Sequence, residues 1–150
     1  MSQRRILLAV GTDGEAGAAR LETTIELAFE VGAVVTLGHV FTADEYEVVC
    51  GRLGFDEPSP EVDPTDVARR HAQTRTIAGQ LDEAGIDYEI RGAVGNRGTE
   101  IVAMAEAIGA DRIVVGGRQR TPTGKAIFGS TSQEVLLTAP CPVTFVRDDG

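Results

Sequence analysis

The sequence predicts an α/β fold in which parallel strands are joined by crossover helices. Short runs of apolar, β-branched residues alternate along the 150 residues with longer segments that carry apolar residues at helical spacing. The first and fourth runs are almost wholly apolar, which is typical of strands that are buried on both faces of a parallel sheet. We therefore expect a single domain over residues 1–150, with these two strands in the middle of the sheet.

Each predicted element is marked by its own residues. Apolar runs predict strands at residues 6–10, 34–41, 88–91, 112–115 and 143–146. Apolar stripes at helical spacing predict helices at residues 16–31, 66–84, 99–108 and 130–138. Glycines mark the helix ends at Gly32, Gly85 and Gly109, and Pro140 follows the last helix.

Residues 42–64 interrupt this alternation. Seven acidic residues and three prolines in this stretch predict an acidic loop with partial helical character. The acidic side chains lack the glycine-punctuated spacing of a calcium-binding loop. We therefore interpret them as a solvated surface rather than as a metal site.

Composition and charge limit the partners of the protein. The hydrophobic fraction of 42% and the charged fraction of 25% are ordinary for a globular domain. The net charge of -9 should repel nucleic acid and anionic membranes, so we expect neither as a partner. No apolar run has the length of a membrane span. Cys50 and Cys141 have no metal-binding spacing, and we interpret both as free thiols in a reducing cytoplasm.

A glycine-rich loop between the fourth strand and the last helix carries the strongest functional signal. Residues 113–130 read IVVGGRQRTPTGKAIFGS, which is a buried strand, a polar loop and a helix start. Backbone N–H groups at a helix start favour an anion. Three basic residues add positive charge to the loop of an otherwise acidic chain: Arg118, Arg120 and Lys125. The loop can hold phosphate, or it can be a plain connection with Ser130 as an N-cap. It is not a Walker A motif, because Ala126 follows the Gly-Lys pair.

Segments along nearly the whole chain resemble the universal stress protein family. The resemblance rests on the opening strand ILLAV, the second-strand ending GHV, the segment VGNRGTEIVAMAEAIGADRIVVGG and the closing GSTSQEVLLTAPCPVTFVR. It implies an adenine nucleotide alpha hydrolase-like fold, a three-layer sandwich around a five-stranded parallel sheet in the order 3-2-1-4-5. It also implies a ligand crevice at the carboxyl ends of strands one and four, where the strand order reverses.

In the ATP-binding branch of that family, this loop contains three glycines. Two residues separate the first glycine from the second, nine residues separate the second from the third, and serine or threonine follows the third. Gly116 matches the first glycine, and Gly129 and Ser130 match the last pair. Gln119 stands at the middle glycine, where a side chain is strained at positive φ. The loop thus keeps the outer positions of the pattern and departs from it at the centre.

The same branch commonly has an aspartate just after the first strand. Gly11 occupies that position here, and Asp13 follows two residues later. Val40 is implied near the adenine, although a role in the core explains it equally well. The resemblance implies these nucleotide-binding residues: Ala9, Val10, Gly11, Thr12, Asp13, Val40, Val115, Gly116, Arg118, Gln119, Gly129, Ser130 and Thr131.

Regulation through nucleotide binding is the function that these observations predict. The expected ligand is ATP or a related adenine nucleotide, which magnesium can accompany, bound by a stress-response dimer. In the implied strand order, residues 143–146 form an edge strand that invites pairing with the same strand of a second copy. The alternative is a nucleotide-free dimeric interaction module, in which Gln119 and Gly11 reflect a lost pocket.

The sequence offers no convincing catalytic group. Neither His39 nor His71 has a serine, cysteine and carboxylate pattern around it. We interpret His39 as a packing residue at a strand end. Cys141 is interpreted as structural, because no basic residue adjoins it in sequence to lower its pKa. We therefore expect no enzyme activity. A small phosphotransfer or hydrolytic enzyme that acts through Asp13 is the third hypothesis.

Overall fold

The computed structural model describes residues 4–10, 18–52, 63–117 and 130–147. In these ranges the strands are β1 Arg5–Val10, β2 Val34–Phe41, β3 Tyr88–Val94, β4 Arg112–Gly117 and β5 Val143–Arg147. The helices are α1 Ala18–Val31, α2 Ala43–Arg52, α3 Pro64–Arg70, α4 Ala72–Glu83, α5 Arg97–Ile108 and α6 Ser130–Thr138. None of these described helices is long and apolar enough to cross a membrane.

The strands form one parallel sheet in the order β3-β2-β1-β4-β5. The predicted fold class and strand order are thereby confirmed. β1 and β4 lie inside the sheet, as their apolar sequences predict. The side chains at their centres are almost completely buried: Ile6, Leu7, Leu8, Ile113 and Val114.

Helices cover both faces of this sheet. Successive strand residues point to opposite faces, so Ile6 and Leu8 join a core cluster with residues of α1 and α4, whereas Leu7 joins a second cluster with residues of α5 and α6. The predicted three-layer sandwich is confirmed. A third cluster surrounds Phe41, the last residue of β2, and is built from α2 and α3.

Part of the predicted acidic loop is a helix, α2, which agrees with the partial helical character predicted for this stretch. The cause is a capping box at the helix start. The backbone N–H of Thr42 donates to Glu45 Oε1 at 2.8 Å, and the backbone N–H of Glu45 donates to Thr42 Oγ1 at 3.2 Å. Tyr46 and Cys50 of α2 are buried, so packing also favours the helix. Residues 53–62 of the predicted loop lie outside the described residues.

The helix predicted at residues 66–84 is two helices, α3 and α4, that meet at His71. His71 has extended backbone angles, φ -68° and ψ 131°, and its N–H donates to the Ala68 carbonyl. Asp63 caps α3 by accepting from the Thr65 N–H at 2.8 Å. No glycine or proline marks the break, so apolar periodicity alone could not locate it. β3 is also longer than predicted and continues to Val94.

Candidate functional site

β1 and β4 stop pairing before either strand ends. Their pairing finishes at Leu8 opposite Val114, although β1 continues to Val10 and β4 to Gly117. On their other sides, β1 remains paired with β2, and β4 with β5, up to the last residue of each. The two strand ends therefore diverge at the point where the strand order reverses. Ligand sites of open α/β sheets lie in such a crevice.

The carbonyl group of Ala9 is one of the groups that this divergence frees. Backbone groups of alternate strand residues point to the same neighbouring strand. The Arg5 carbonyl accepts from Asp111, on the β4 side, so the Ala9 carbonyl also points towards β4. It accepts from Arg20 Nη1 at 2.7 Å. Arg20 belongs to the first turn of α1, and its side chain is buried, since the residue is only 8% exposed.

The carbonyl group of Gly116 is held in a matching way from the other side. The Ile113 N–H donates to the Pro142 carbonyl and therefore points towards β5. Gly116 lies three residues further along β4, so its backbone N–H and carbonyl point the opposite way, towards β1. Its carbonyl accepts from Ser132 Oγ at 3.2 Å. Ser132 lies in the first turn of α6 and is 4% exposed. Side chains from the first turns of two helices thus bind both strand ends at the crevice.

This arrangement suits an anionic ligand. The first turns of α1 and α6 lie next to the ends of β1 and β4, as the contacts of Arg20 and Ser132 show. The N-terminal turn of a helix has free N–H groups and the positive end of the helix dipole. Both features favour a phosphate group. Sequence reasoning missed Arg20 and Ser132, because nothing in the sequence shows which carbonyl each side chain meets.

The structure brings together several residues of the predicted nucleotide site. Ala9 and Val10 end β1, Val115 and Gly116 lie near the end of β4, and Thr131 lies in the first turn of α6 together with Ser130. All belong to the carboxyl edge of the sheet. The other predicted residues in and around the glycine-rich loop lie outside the described residues: Gly11, Thr12, Asp13, Arg118, Gln119 and Gly129. Their role stays a prediction, as do the positions of Arg120 and Lys125.

Val40 lies near the end of β2, one strand away from the crevice. Its side chain is 3% exposed and belongs to the core cluster on the α5 side of the sheet. The packing matches the interpretation of Val40 as a core residue. A contact between its backbone and an adenine remains a prediction.

His39 lies near the end of β2, opposite Val10 of β1. It is fully buried, and its Nδ1 lies 3.2 Å from Thr74 Oγ1. Its ring stacks on Phe41 at a centroid distance of 4.2 Å and meets His71 edge-on at 4.7 Å. Burial, and then the charges of His71 and Arg97, lower the pKa of His39 to about 3. His39 is therefore neutral at physiological pH and acts as a packing residue of the strand end.

An ion pair lies at the same carboxyl end of the sheet, next to the end of β3. Arg97 Nη2 donates to Glu45 Oε2 and thereby joins the first turn of α5 to the capping box of α2. Asn96 caps α5 by accepting from the Thr99 N–H at 3.0 Å. These contacts fix the loops that follow β2 and β3. They occupy Glu45 in helix capping and ion pairing, whereas the sequence analysis interpreted it as part of a solvated surface.

The described residues contain no cluster of three or more histidine, cysteine or acidic side chains that could hold a metal ion. Cys50 and Cys141 are free thiols. Burial and then the charge of Asp111 raise the pKa of Cys141, and Arg112 opposes this only in part. A raised pKa leaves the thiol protonated and unreactive.

Comparison with known proteins identifies the family. The sequence model of the universal stress protein family matches residues 3–147. The chain belongs to the universal stress protein family. A universal stress protein of Mycolicibacterium smegmatis is 34% identical over 82 residues, which are 54% of this chain and 63% of that protein. The stress response protein NhaX of Bacillus subtilis is 26% identical, over 93% of this chain and 96% of its own length. The match thus spans less than two thirds of the Mycolicibacterium relative.

Solved structures of this family have the same fold. A universal stress protein from Archaeoglobus fulgidus superposes with a TM-score of 0.72 at 23% identity, over 98% of this chain and 100% of the other. The Archaeoglobus protein in complex with dAMP gives a TM-score of 0.68 at 21% identity, over 98% and 100%. A family member from Arabidopsis thaliana with AMP bound gives 0.63 at 15% identity, over 96% and 91%. At these identities the likeness shows the fold of the chain.

Proposed function

We propose that this universal stress protein binds an adenine nucleotide in the crevice between β1 and β4 and regulates a stress response in the cytoplasm. The observation that carries the proposal is the divergence of the two strand ends. The carbonyls of Ala9 and Gly116 no longer pair between the strands there and accept hydrogen bonds from Arg20 and Ser132 instead. Relatives of the same fold were solved with dAMP and with AMP. ATP is the ligand that the loop pattern favours, with magnesium on its phosphates.

The proposed role is that of a binding protein rather than an enzyme. His39, next to the end of β1, is engaged in packing, and Glu45, at the same end of the sheet, is engaged in helix capping. The net charge of -9 supports a partner other than nucleic acid. The free thiols Cys50 and Cys141 support a reducing compartment.

We also propose that two copies associate through β5. This strand pairs with β4 alone in the described part of the sheet. Leu136 and Leu137 of the neighbouring helix α6 are exposed, Leu137 to 77%. An edge strand beside exposed leucines favours a self-complementary interface. Without nucleotide binding, the same surface would support the alternative function, a nucleotide-free dimeric interaction module.

The test is calorimetric titration with AMP and with ATP, in the presence and absence of magnesium. GMP serves as the control for recognition of the adenine. Saturable binding of AMP or ATP that GMP does not reproduce supports the proposal, as does adenine nucleotide released from heat-denatured protein. Absence of both, together with a stable dimer, would favour the interaction module. Hydrolysis of ATP during long incubation with magnesium would contradict the proposal that the protein binds nucleotide without acting as an enzyme.

A further inference from the structure

We propose that the first part of the β3 edge is a docking site for an extended, acidic peptide segment of another protein. The segment would pair with β3 as a sixth strand of the sheet and lie between α4 and α5. The inference goes beyond the proposed function, because it requires neither a nucleotide nor association through β5. Addition of an extended peptide to a sheet edge is a general mode of peptide recognition.

The backbone of β3 provides the first argument. The Val35 N–H donates to the Asp87 carbonyl, so alternate residues from position 87 onwards point towards β2. The intervening residues Tyr88, Ile90 and Gly92 therefore point their backbone groups away from β2. The Gly92 N–H confirms this direction, because it donates to a hydroxyl group of α3 at 3.0 Å. Within the described part of the chain, the N–H and carbonyl groups of Tyr88 and Ile90 have no hydrogen-bond partner.

α3 determines how far this open stretch extends. It packs against Gly92, where an added Cβ atom would overlap the Pro64 carbonyl. A strand therefore cannot pair beyond residue 91 without displacing α3. The open stretch offers four backbone groups, which are the N–H and carbonyl groups of Tyr88 and Ile90. Such a short stretch disfavours pairing with long strands and so limits non-specific association.

The surroundings of these backbone groups form a groove. α4 borders it with Ala78 and Gly79, and α5 borders it with Ala103 and Ala107, so small side chains leave space on both faces of the edge. The volume of about 1170 Å³ exceeds the roughly 300 to 1000 Å³ of a small-molecule site. A strand paired with β3 would direct alternate side chains to the two faces. The groove thus suits an extended peptide better than a small ligand.

The acidic side chains that line the groove are largely engaged within the protein. Asp82 accepts from the Tyr88 hydroxyl at 3.5 Å. Glu89 forms an ion pair with Arg5 at 3.5 Å. Glu100 is the third carboxylate of the lining, and it has no such contact among the described residues. One carboxylate is therefore left to face a partner.

The basic side chains of the lining are engaged to a smaller extent. Arg69 pairs with Asp66 of the same helix at 3.3 Å. Arg75 and Arg91 are exposed, and neither forms an ion pair with another described residue. These two guanidinium groups outnumber the single carboxylate of Glu100. In a chain whose net charge is -9, the groove is thus a locally basic surface that attracts an acidic peptide. The same charges disfavour an apolar strand.

The experiment titrates the nucleotide-free protein with a heptapeptide that is blocked at both ends. Pairs of glutamates alternate with pairs of valines in it, so that both faces of the extended peptide carry carboxylates. In one control peptide lysine replaces glutamate. In a second control the central backbone nitrogens are methylated, which removes their hydrogen-bond donors. NMR spectroscopy of the backbone N–H groups of the protein, at low ionic strength, follows binding and hydrogen exchange.

We expect the acidic peptide to bind with a dissociation constant about tenfold or more below those of the two control peptides. At saturation, hydrogen exchange at the Tyr88 and Ile90 N–H groups should slow by about tenfold or more, because the peptide accepts their hydrogen bonds. Exchange in β5 should stay as it is in the free protein. This comparison uses the unchanged chain, so it does not depend on the folding of a variant.

Charge reversal in the groove tests the selection of an acidic partner. Arg75→Glu and Arg91→Glu should each raise the dissociation constant of the acidic peptide about threefold or more, and added salt should reduce the effect. Arg52→Glu is the matched control, because Arg52 is exposed on α2 and does not line the groove. It should bind the peptide as the unchanged protein does. Arg75→Gln and Arg91→Gln replace any reversed variant that circular dichroism shows to be unfolded.

Four outcomes overturn the inference. No binding of the acidic peptide at millimolar concentration would exclude the site, and binding without protection of Tyr88 and Ile90 would place the peptide elsewhere. Equal affinity for the acidic and basic peptides would remove the charge selection. Association of two copies that Arg91→Glu abolishes would make a second copy the occupant of the groove. Since no nucleotide is present, each result is independent of the proposed nucleotide binding.

Discussion

The two edge strands of the sheet, β3 and β5, are protected in different ways. α3 packs along β3, where the backbone N–H of Gly92 donates to Thr65 Oγ1 at 3.0 Å. Glu89 and Arg91 add exposed charged side chains to that edge. β5 pairs with β4 alone in the described residues, and the neighbouring helix α6 carries exposed leucines. Proteins cover or charge edges that must not associate. The difference teaches that β3 is an edge sealed by α3 at Gly92 and by charge at Glu89 and Arg91, whereas β5 is the edge at which we propose association of two copies.

Removal of the seal on β3 should have the largest effect. A Cβ atom at Gly92 would overlap the backbone carbonyl of Pro64, which cannot move without displacing α3. We expect Gly92→Val to lower the free energy of unfolding by about 3 kcal/mol and to promote aggregation through the opened edge. Urea denaturation and light scattering measure the two effects.

Gly79→Ala is the matched control for this substitution. Gly79 lies in α4, and a Cβ there meets no atom within 4 Å. Alanine in a helix should leave the stability unchanged or raise it by up to about 1 kcal/mol. If Gly92→Val proved as stable as this control, α3 would not be closely held against β3, and the contrast between the two edges would disappear.

Acid should weaken the sealed edge in particular. His39 lies opposite Gly92 in the sheet, and His71 joins α3 to α4, so both histidines support the cover of β3. Burial lowers the pKa of His39 from 6.5 to about 3 and lowers the pKa of His71. The unfolded chain therefore takes up protons below pH 6.5 that the folded chain does not. Stability is lost as the pH falls from the unfolded pKa towards the folded one.

The expected loss from His39 is about 1.4 kcal/mol for each pH unit below its unfolded pKa, or about 2–3 kcal/mol by about pH 4.5. Urea denaturation of the unchanged protein and of His39→Leu at neutral and acidic pH measures it. Leucine does not titrate, so the variant should lose that much less stability on acidification, although it is less stable at neutral pH. Parallel pH profiles of the two proteins would contradict a buried neutral His39.

The sealed edge also shows where sequence reasoning stopped. Apolar runs predicted the inner strands β1, β2 and β4, because strands buried on both faces must be apolar, and the edge strand β3 was predicted only as far as Arg91. The break between α3 and α4 at His71 has no glycine or proline, and it depends on packing of the histidine against His39 and Phe41. The capping box of Thr42 and Glu45 was readable in the sequence, but the acidic residues and prolines around it favoured a loop.

The candidate site was predictable to a similar degree. Its location followed from the strand order, because parallel strands place their carboxyl ends at one edge of the sheet. The contacts of Arg20 and Ser132 did not follow, because they join residues that lie 11 and 16 positions from their acceptors. Which carbonyls are available as acceptors depends on where β1 and β4 stop pairing. The point at which they stop pairing is a property of the packed sheet.

A change at the open edge should have a smaller effect on stability and a selective effect on association. Leu137 is 77% exposed on α6, so Leu137→Glu leaves the core of a single chain intact. If β5 and α6 form the dimer interface, a buried carboxylate should raise the dimer dissociation constant by about tenfold or more. Sedimentation analysis over a range of concentrations measures it. Val48→Glu on α2, also at an exposed hydrophobic position, should dissociate as the unchanged protein does. An equal effect of both substitutions would indicate a general change in solubility, and an unchanged dimer in Leu137→Glu would move the interface away from β5 and its neighbouring helix.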